Sequence, residues 1–181
     1  MEYKFRDLTK DEIEVRVQSA NEKGVILLLY KDARVDMNIL DETVGPDKWQ
    51  RDHFECKGNL FCKIGIKQDD GSWVWKADCG VESNTEAQKG EASDSFKRAG
   101  VNWGIGRELY TSPFVWIGAK DCNLNSADRG GKTYYSCYDK FSVQKIKIEN
   151  KTITGLAILN ATTGKTCFVY CAPGSEKTQA R

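Results

Sequence analysis

Period-two alternation of apolar and polar residues, repeated over three successive runs, is the feature that most restricts how this chain can fold. In the clearest run, the side chains that fall on one face of an extended chain are Leu60, Cys62, Ile64 and Ile66. Similar alternation precedes it in "WQRDHFEC" and follows it in "WVWKADC". This period is typical of strands with one buried face. Since "KGN" and "QDDGS" have the composition of turns, the three runs predict an antiparallel meander.

A long helix is predicted directly after this meander. Ser83 and Glu86 have the spacing of a capping box, which marks the start of a helix. A helix over about residues 84–103 presents one apolar stripe, formed by Ala92, Phe96, Ala99 and Trp103. We expect this stripe to pack on the apolar face of the meander, which gives a β-β-β-α core over about residues 48–110.

Two further helices and a group of strands complete the predicted fold. Thr9 and Glu12 form another capping box, so an N-terminal helix is expected over about residues 10–21. "VILLLY" predicts a buried strand, and "DARVDMNILDETVG" predicts a second short helix. Alternation returns over about residues 140–171 and predicts a C-terminal β-hairpin or meander.

The predicted fold class is therefore α+β, an antiparallel β-meander packed on a long helix, with an N-terminal helix and C-terminal strands. A chain of 181 residues is long enough for one domain with a substantial hydrophobic core. We expect residues 1–172 to form that single domain and residues 173–181 to be a polar tail.

Composition indicates a cytosolic or nuclear protein. The longest apolar run, "VILLLY", is far too short to cross a bilayer, and "MEYKFRDLTK" lacks the apolar segment of a signal peptide. Seven cysteines, an odd number, lie partly in strand-like apolar runs, which favours reduced thiols over a disulfide framework. We therefore expect a cytoplasmic location and no contact with a membrane.

The charge distribution is uneven although the formal net charge is only +1. From residue 129 onward the chain has 9 Lys and Arg against 3 Asp and Glu. A basic C-terminal third is compatible with a polyanionic partner. An ordinary solvated surface can have the same composition, and charge alone favours that interpretation.

The sequence has no convincing motif for nucleotide binding or catalysis. "NATTGKT" resembles a phosphate-binding P-loop, but Leu159 stands where the motif requires glycine, and a strand-like run follows the lysine. His53 is the only histidine, which leaves little room for a His-based triad. No two cysteines have the C-x-x-C spacing of a zinc site. We therefore predict a protein that is not an enzyme and that uses no cofactor or metal.

The last part of the long helix, "SDSFKRAGVNWGIGREL", has an unusual composition. Lys97 and Arg98 are adjacent, and Gly100, Gly104 and Gly106 follow, although a glycine costs a helix interior about 1 kcal/mol relative to alanine. These small residues leave a strip where another backbone can approach closely. That backbone is a sugar-phosphate chain, a neighbouring subunit or another segment of the same fold, and the residues alone leave all three open.

The stretch "DGSWVWKADCGVESNTEAQKGEASDSFKRAGVNWGIGRELY" resembles the signature of the Rad52 superfamily of single-strand annealing proteins. Within that superfamily it is most similar to the phage branch, which includes the Sak recombinases. The shared features are a strand that ends in Gly-Val, an Asp-x-x-Lys-Arg-Ala segment, an aromatic residue followed by glycine, and a closing Leu-Tyr. Upstream, "ARVDMNILDETVGPDKW" is similar to the family's Arg-led helix, with Arg34 and Trp49 at matching positions. The resemblance covers about residues 31–110.

The resemblance implies a β-β-β-α core, rings or filaments of many subunits, and ATP-independent annealing of complementary strands. It also implies that Lys97, Arg98 and Arg34 line a groove that holds the DNA backbone. Three further cations are added from their position and charge alone. The candidate DNA-binding residues are therefore Arg34, Lys97, Arg98, Arg107, Lys63 and Lys89.

We predict that the chain binds single-stranded DNA and anneals complementary strands without ATP in homologous recombination and repair, and that a phage or prophage encodes it. The expected partners are single-stranded DNA, further copies of the chain in a ring or filament, and a partner exonuclease or single-strand binding protein, all in the bacterial host cytoplasm. Two alternatives remain open. One is a module that binds RNA or duplexes, with an architecture like double-stranded-RNA-binding domains, and the other is a metal-dependent nuclease. Trp103 could stack on bases, but its place in the apolar stripe favours a position in the core.

Overall fold

The structure, a computed structural model, describes residues 3–81 and 87–174, and for residues 87–89 it describes only the backbone. The chain divides into two compact units. The first consists of Met1–Asp7 with Asp32–Arg107, and the second of Leu8–Lys31 with Glu108–Arg181.

The grouping of residues 1–172 into a single domain stays a prediction. Of the predicted polar tail, only Pro173 and Gly174 lie within the described residues.

Eleven strands and two α-helices occur in the described residues. The strands are β1 Glu14–Asn21, β2 Gly24–Tyr30, β3 Trp49–Cys56, β4 Asn59–Lys67, β5 Trp73–Cys79, β6 Val115–Gly118, β7 Leu124–Arg129, β8 Lys132–Cys137, β9 Phe141–Glu149, β10 Thr152–Asn160 and β11 Lys165–Cys171. The helices are α1 Ala33–Val44 and α2 Ala87–Trp103, and the short 3₁₀ helices are Lys10–Glu12, Arg107–Thr111 and Ala119–Asp121. No helix among these has the length and apolar character needed to span a membrane. All seven cysteines are free.

The predicted fold class, α+β with a meander packed on a long helix, is wrong, because such a layer forms only one part of the described chain and eight of the eleven strands belong to other sheets. The described residues are mostly β, with eleven strands against two α-helices. Its largest sheet has six strands in the order β11-β10-β9-β1-β2-β6, and the edge strands β11 and β6 approach each other, so that the sheet is nearly closed like a barrel. Alternation in a short run shows that a strand has a buried face, but it does not show which distant strand will pair with it.

The predicted N-terminal helix over residues 10–21 is also wrong. The capping box is present, and the Thr9 N–H donates to the Glu12 carboxylate at 2.8 Å, but it starts only the 3₁₀ turn Lys10–Glu12. The residues that follow form β1, which pairs antiparallel with β2 along its length. A cap satisfies the backbone donors at one helix end, whereas strand pairing satisfies the backbone of the whole segment. Pairing therefore overrides the local signal.

In the first unit, helix α2 covers one face of the antiparallel sheet β3-β4-β5. Ile64 and Ile66 of β4 and Phe96 and Ala99 of α2 are fully buried. The Trp103 indole N–H donates to the Ile64 carbonyl at 3.1 Å, which fixes the end of the helix to the central strand. Since burial of each large apolar side chain contributes roughly 1.5–3 kcal/mol, this layer holds the helix firmly on the sheet.

The second unit contains the six-stranded sheet and the hairpin β7-β8. Its most buried core side chains include Val25, Ile117, Ile153 and Ile158. Asp139 is also buried, and it accepts hydrogen bonds from the Asn123 backbone N–H and from the Asn160 side chain, both at 2.8 Å. Burial raises the pKa of Asp139, but these hydrogen bonds outweigh that effect and hold the pKa below its ordinary value. The carboxylate is therefore charged and satisfied in the folded unit.

Candidate nucleic-acid interface

Helix α2 carries two adjacent predicted site residues, Lys97 and Arg98, on the side opposite its buried stripe. A helix turns about 100° per residue, and the flanking Phe96 and Ala99 are fully buried. The two cations therefore fall on the remaining part of the circumference. Both residues are half-buried, and the Nε atom of Arg98 is itself shielded from solvent.

Arg98 faces strand β5. Its Nε lies 3.5 Å from Oδ1 of Asp78, and its side chain is 40% exposed. One turn further along α2, Asn102 donates to Oδ2 of Asp78 at 3.4 Å and to the Ala77 carbonyl at 3.0 Å. Asp78 therefore connects two successive turns of the helix to the sheet and keeps Arg98 beside the strand.

Two more cations meet at the C-terminal end of α2. Nζ of Lys76, on β5, donates to the Asn102 carbonyl at 2.9 Å and lies 4.4 Å from the centroid of the Trp103 ring. The Arg107 guanidinium donates to the Val101 carbonyl at 3.0 Å and to the Asn102 carbonyl at 3.4 Å. Cations are favourable there because the last carbonyls of a helix lack partners and carry partial negative charge.

Lys76 is not among the residues that the sequence predicted for this site. Alternation along β5 separates Lys76 from Trp73 and Trp75, so the strand pattern showed that it lies on the opposite face from the tryptophans. The placement of α2 on that face is what brings Lys76 to the helix end. A lysine on the helix-covered side of a predicted strand is therefore the signal that could have identified it.

Arg34 lies at the N-terminus of α1, where Asp32 is the N-cap. Oδ1 of Asp32 accepts from the Arg34 backbone N–H and from its Nε, both at 2.8 Å. These hydrogen bonds, together with the charge of Lys97, lower the pKa of Asp32 to about 2. Asp32 of the α1 cap therefore lies within electrostatic range of both Arg34 and Lys97. The Arg34 side chain is 82% exposed.

Two of the glycines are explained by the first unit itself. A Cβ atom at Gly100 would overlap the carboxylate of Asp36, a fully buried side chain of α1. Gly104 has φ +99°, its N–H donates to the Val101 carbonyl, and the Ile105 N–H donates to the Gly100 carbonyl, which is a Schellman motif. The segment that approaches α2 at Gly100 is therefore another helix of the same chain.

The two remaining predicted residues do not join this group. Lys63 lies on the other face of the three-stranded sheet, where its Nζ is 3.2 Å from Oδ2 of Asp52. The side chain of Lys89 lies outside the described residues.

We call the cations around the exposed side of α2 the α2 row. It consists of Arg34, Lys76, Lys97, Arg98 and Arg107. In the part of the chain that the structure describes, no three His, Cys, Asp or Glu side chains are grouped so that they could hold a metal ion. The α2 row presents hydrogen-bond donors and positive charge, which is the chemistry that binds phosphate. Binding of DNA by any of these residues stays a prediction.

Comparisons with known proteins cover the same segment. The model of a family described as Rad52/22 family double-strand break repair protein matches residues 5–127, a range that includes the whole α2 row. The single-stranded DNA-binding protein DdrA of Deinococcus radiodurans is 33% identical over an alignment of 125 residues, which covers 63% of this chain and 52% of that protein. The chain thus spans about half the length of this relative. No solved structure matches the chain.

Proposed function

The chain belongs to the Rad52/22 family of double-strand break repair proteins, and from this premise we propose that it binds single-stranded DNA and anneals complementary strands without a nucleotide cofactor. In this proposal the α2 row holds the sugar-phosphate backbone, with Lys97, Arg98 and Arg34 as its main contacts. The setting is homologous recombination and repair. A phage origin in the Sak branch and a partner exonuclease or single-strand binding protein belong to the same proposal.

The observation that supports this proposal most is the accessibility of the α2 row. Its cations come from a strand, two helices and a helix end that meet around one exposed helical surface. The Arg34 side chain is 82% exposed and that of Arg98 is 40% exposed, so a polymer can reach both. Cations spaced along a surface bind a strand without sequence preference, because each neutralised phosphate releases condensed counterions.

The acidic neighbours of the row are compatible with phosphate binding. Arg34 pairs with Asp32 at an exposed site, where an ion pair contributes at most about 1 kcal/mol, whereas Arg98 and Asp78 are partly buried. A phosphate that accepts charge-assisted hydrogen bonds from a guanidinium group can offset that loss. The carboxylates therefore orient the cations in the free protein and can give way when a strand binds.

Contact through phosphates accounts for annealing without nucleotide hydrolysis. A strand that is held by its backbone keeps its base edges free to pair with a second strand. No covalent bond is made or broken, so no catalytic group is required. Further copies of the chain in a ring or filament would extend the α2 row, and weak contacts at each subunit would then add up.

The double substitution Lys97→Ala with Arg98→Ala tests this function. We expect the variant to fold and assemble as the unmodified chain does, but to lose most of its affinity for single-stranded DNA, by about tenfold or more, since two charge-assisted contacts are lost. Annealing of complementary oligonucleotides, followed by fluorescence energy transfer between labelled strands, should slow accordingly.

The matched control is Lys10→Ala with Lys48→Ala, which removes the same charge at two exposed side chains outside the α2 row. This control should anneal like the unmodified chain. If the Lys97 and Arg98 variant anneals at the same rate as the control, the α2 row is not the DNA-binding surface.

A further inference from the structure

The three-stranded sheet of the first unit has a second face, which α2 does not cover. The strand register places Phe54 opposite Phe61, and Trp75 opposite Gly65. We call this the outer sheet face, and its principal side chains are Phe54, Phe61, Lys63, Trp73 and Trp75. The buried Ile64 and Ile66 point to the other face, so the aromatic side chains of the outer sheet face are not required for the core beneath α2.

The aromatic rings of the outer sheet face form two pairs. The ring planes of Phe54 and Phe61 differ by 24° and their centroids are 5.4 Å apart, and the ring planes of Trp73 and Trp75 differ by 29° and their centroids are 6.0 Å apart. Phe54 and Trp75 are each 39% exposed. Exposed rings arranged in neighbouring pairs provide a flat surface of the kind on which bases stack.

Trp75 lies flat on the sheet because Gly65 has no side chain. A Cβ atom at Gly65 would be 2.8–2.9 Å from three atoms of the Trp75 six-membered ring, which places one ring face directly over that glycine. The backbone of Gly65 therefore supports the indole from below. Because the ring is already held in place, little conformational entropy is lost when a ligand stacks on it.

Lys63 adds positive charge between the two aromatic pairs. Its Nζ lies 4.9 Å from the centroid of Trp75, 6.0 Å from that of Phe54 and 3.2 Å from Oδ2 of Asp52. A dry interface with a second protein would bury this ion pair and its desolvation would be costly. A single strand of DNA leaves such a pair in contact with water and offers both flat bases and phosphates.

We propose that the outer sheet face binds single-stranded DNA by stacking its bases on Trp75 and Phe54, with Lys63 contacting a neighbouring phosphate. This inference rests on the proposed function, in which single-stranded DNA is the ligand. The α2 row and the outer sheet face belong to opposite faces of one sheet, so a given nucleotide contacts one or the other. The outer sheet face therefore takes a different stretch of DNA from the one held by its phosphates.

The test compares two oligonucleotides of about 30 nucleotides, one of thymidines and one abasic with the same phosphates. The unmodified chain should bind the thymidine strand at least about tenfold more tightly, because only that strand can stack. In Trp75→Leu with Phe54→Leu the preference should fall below about twofold, while affinity for the abasic strand stays unchanged. Trp75→Phe with Phe54→Tyr keeps both rings and should restore the preference.

The control is Tyr138→Leu, which removes an aromatic side chain that is 78% exposed in the other unit and should keep the preference. Equal affinity of the unmodified chain for both strands overturns the inference and needs no variant. The inference is also overturned if the variant with both leucine substitutions keeps its preference for the thymidine strand. If light scattering then shows a lower assembly mass for this variant, the outer sheet face is a contact surface for a second copy of the chain. If the unmodified chain binds neither strand, the proposed function is refuted as well. The double substitution Lys97→Ala with Arg98→Ala should lower the affinity for the thymidine strand and for the abasic strand by the same factor.

Discussion

At the scale of single residues, three of the six predicted cations lie within ion-pair distance of an acidic side chain in the described residues. The pairs are Arg34 with Asp32, Arg98 with Asp78, and Lys63 with Asp52. This explains how a chain with a net charge of +1 can present local groups of cations. The cations were visible in the sequence, but two of the three pairs join residues from different elements, so only the folded chain reveals them.

Removal of one of these acids should strengthen DNA binding. Asp32→Ser keeps a side chain that can cap α1 and removes the charge that faces both Arg34 and Lys97. Under the proposed function, we expect affinity for single-stranded DNA to rise by about two- to fivefold, since an exposed ion pair contributes at most about 1 kcal/mol. Fluorescence anisotropy of a labelled oligonucleotide measures this change.

Asp69→Ser is the matched control, because it removes an exposed carboxylate from the turn between β4 and β5. If the Asp32→Ser variant does not bind single-stranded DNA more tightly than the Asp69→Ser variant, Arg34 is not part of the DNA-binding interface. The gain should not vary with pH near neutrality, because the hydrogen bonds from Arg34 hold the pKa of Asp32 at about 2. The contribution of this pair to stability is fully present above the ordinary carboxyl pKa and is lost progressively as pH falls from there through about 2.

At the scale of elements, local sequence patterns predicted the secondary structure correctly where contacts with distant segments did not change it. Alternation from Leu60 to Ile66 coincides with β4, and the apolar stripe that ends at Trp103 coincides with α2. The capping box at Thr9 did not produce a helix, because the following segment found a strand partner in β2. Arg107 could have been recognised as a helix-end residue, since a cation shortly after a helix commonly binds its last carbonyls.

The contact between α1 and α2 should depend on the absence of a side chain at Gly100. In Gly100→Ala the new methyl group would overlap the buried carboxylate of Asp36. Such overpacking costs about 1–3 kcal/mol, which exceeds or offsets the roughly 1 kcal/mol that alanine contributes to helix propensity. We expect a lower melting temperature by circular dichroism, by several degrees.

Gly118→Ala is the comparison for this substitution, because Gly118 has φ −69° and a Cβ atom there would meet nothing within 4 Å. This variant should melt like the unmodified chain. If Gly100→Ala is as stable as Gly118→Ala, then α1 is not packed on α2 as closely as described.

At the scale of the whole molecule, the family was predictable and the fold class was not. The family prediction rested on contiguous motifs, which remain readable in a single sequence, and it is confirmed. The fold class failed because the largest sheet joins β1 to β9 through pairs such as Glu14 with Ser142. Partners so far apart in sequence leave no local pattern. The assembly into a ring or filament remains a prediction at this scale.

The central claim is that the α2 row holds a single strand by its phosphates, and the salt dependence of binding tests it most directly. The logarithm of affinity plotted against the logarithm of salt concentration should fall with a slope of about −0.7 for each phosphate neutralised. In Lys97→Ala with Arg98→Ala the slope should become less negative by about 1.4 for each bound subunit, because two such contacts are lost. An affinity that does not change with salt, or an identical slope in the variant, would contradict the claim.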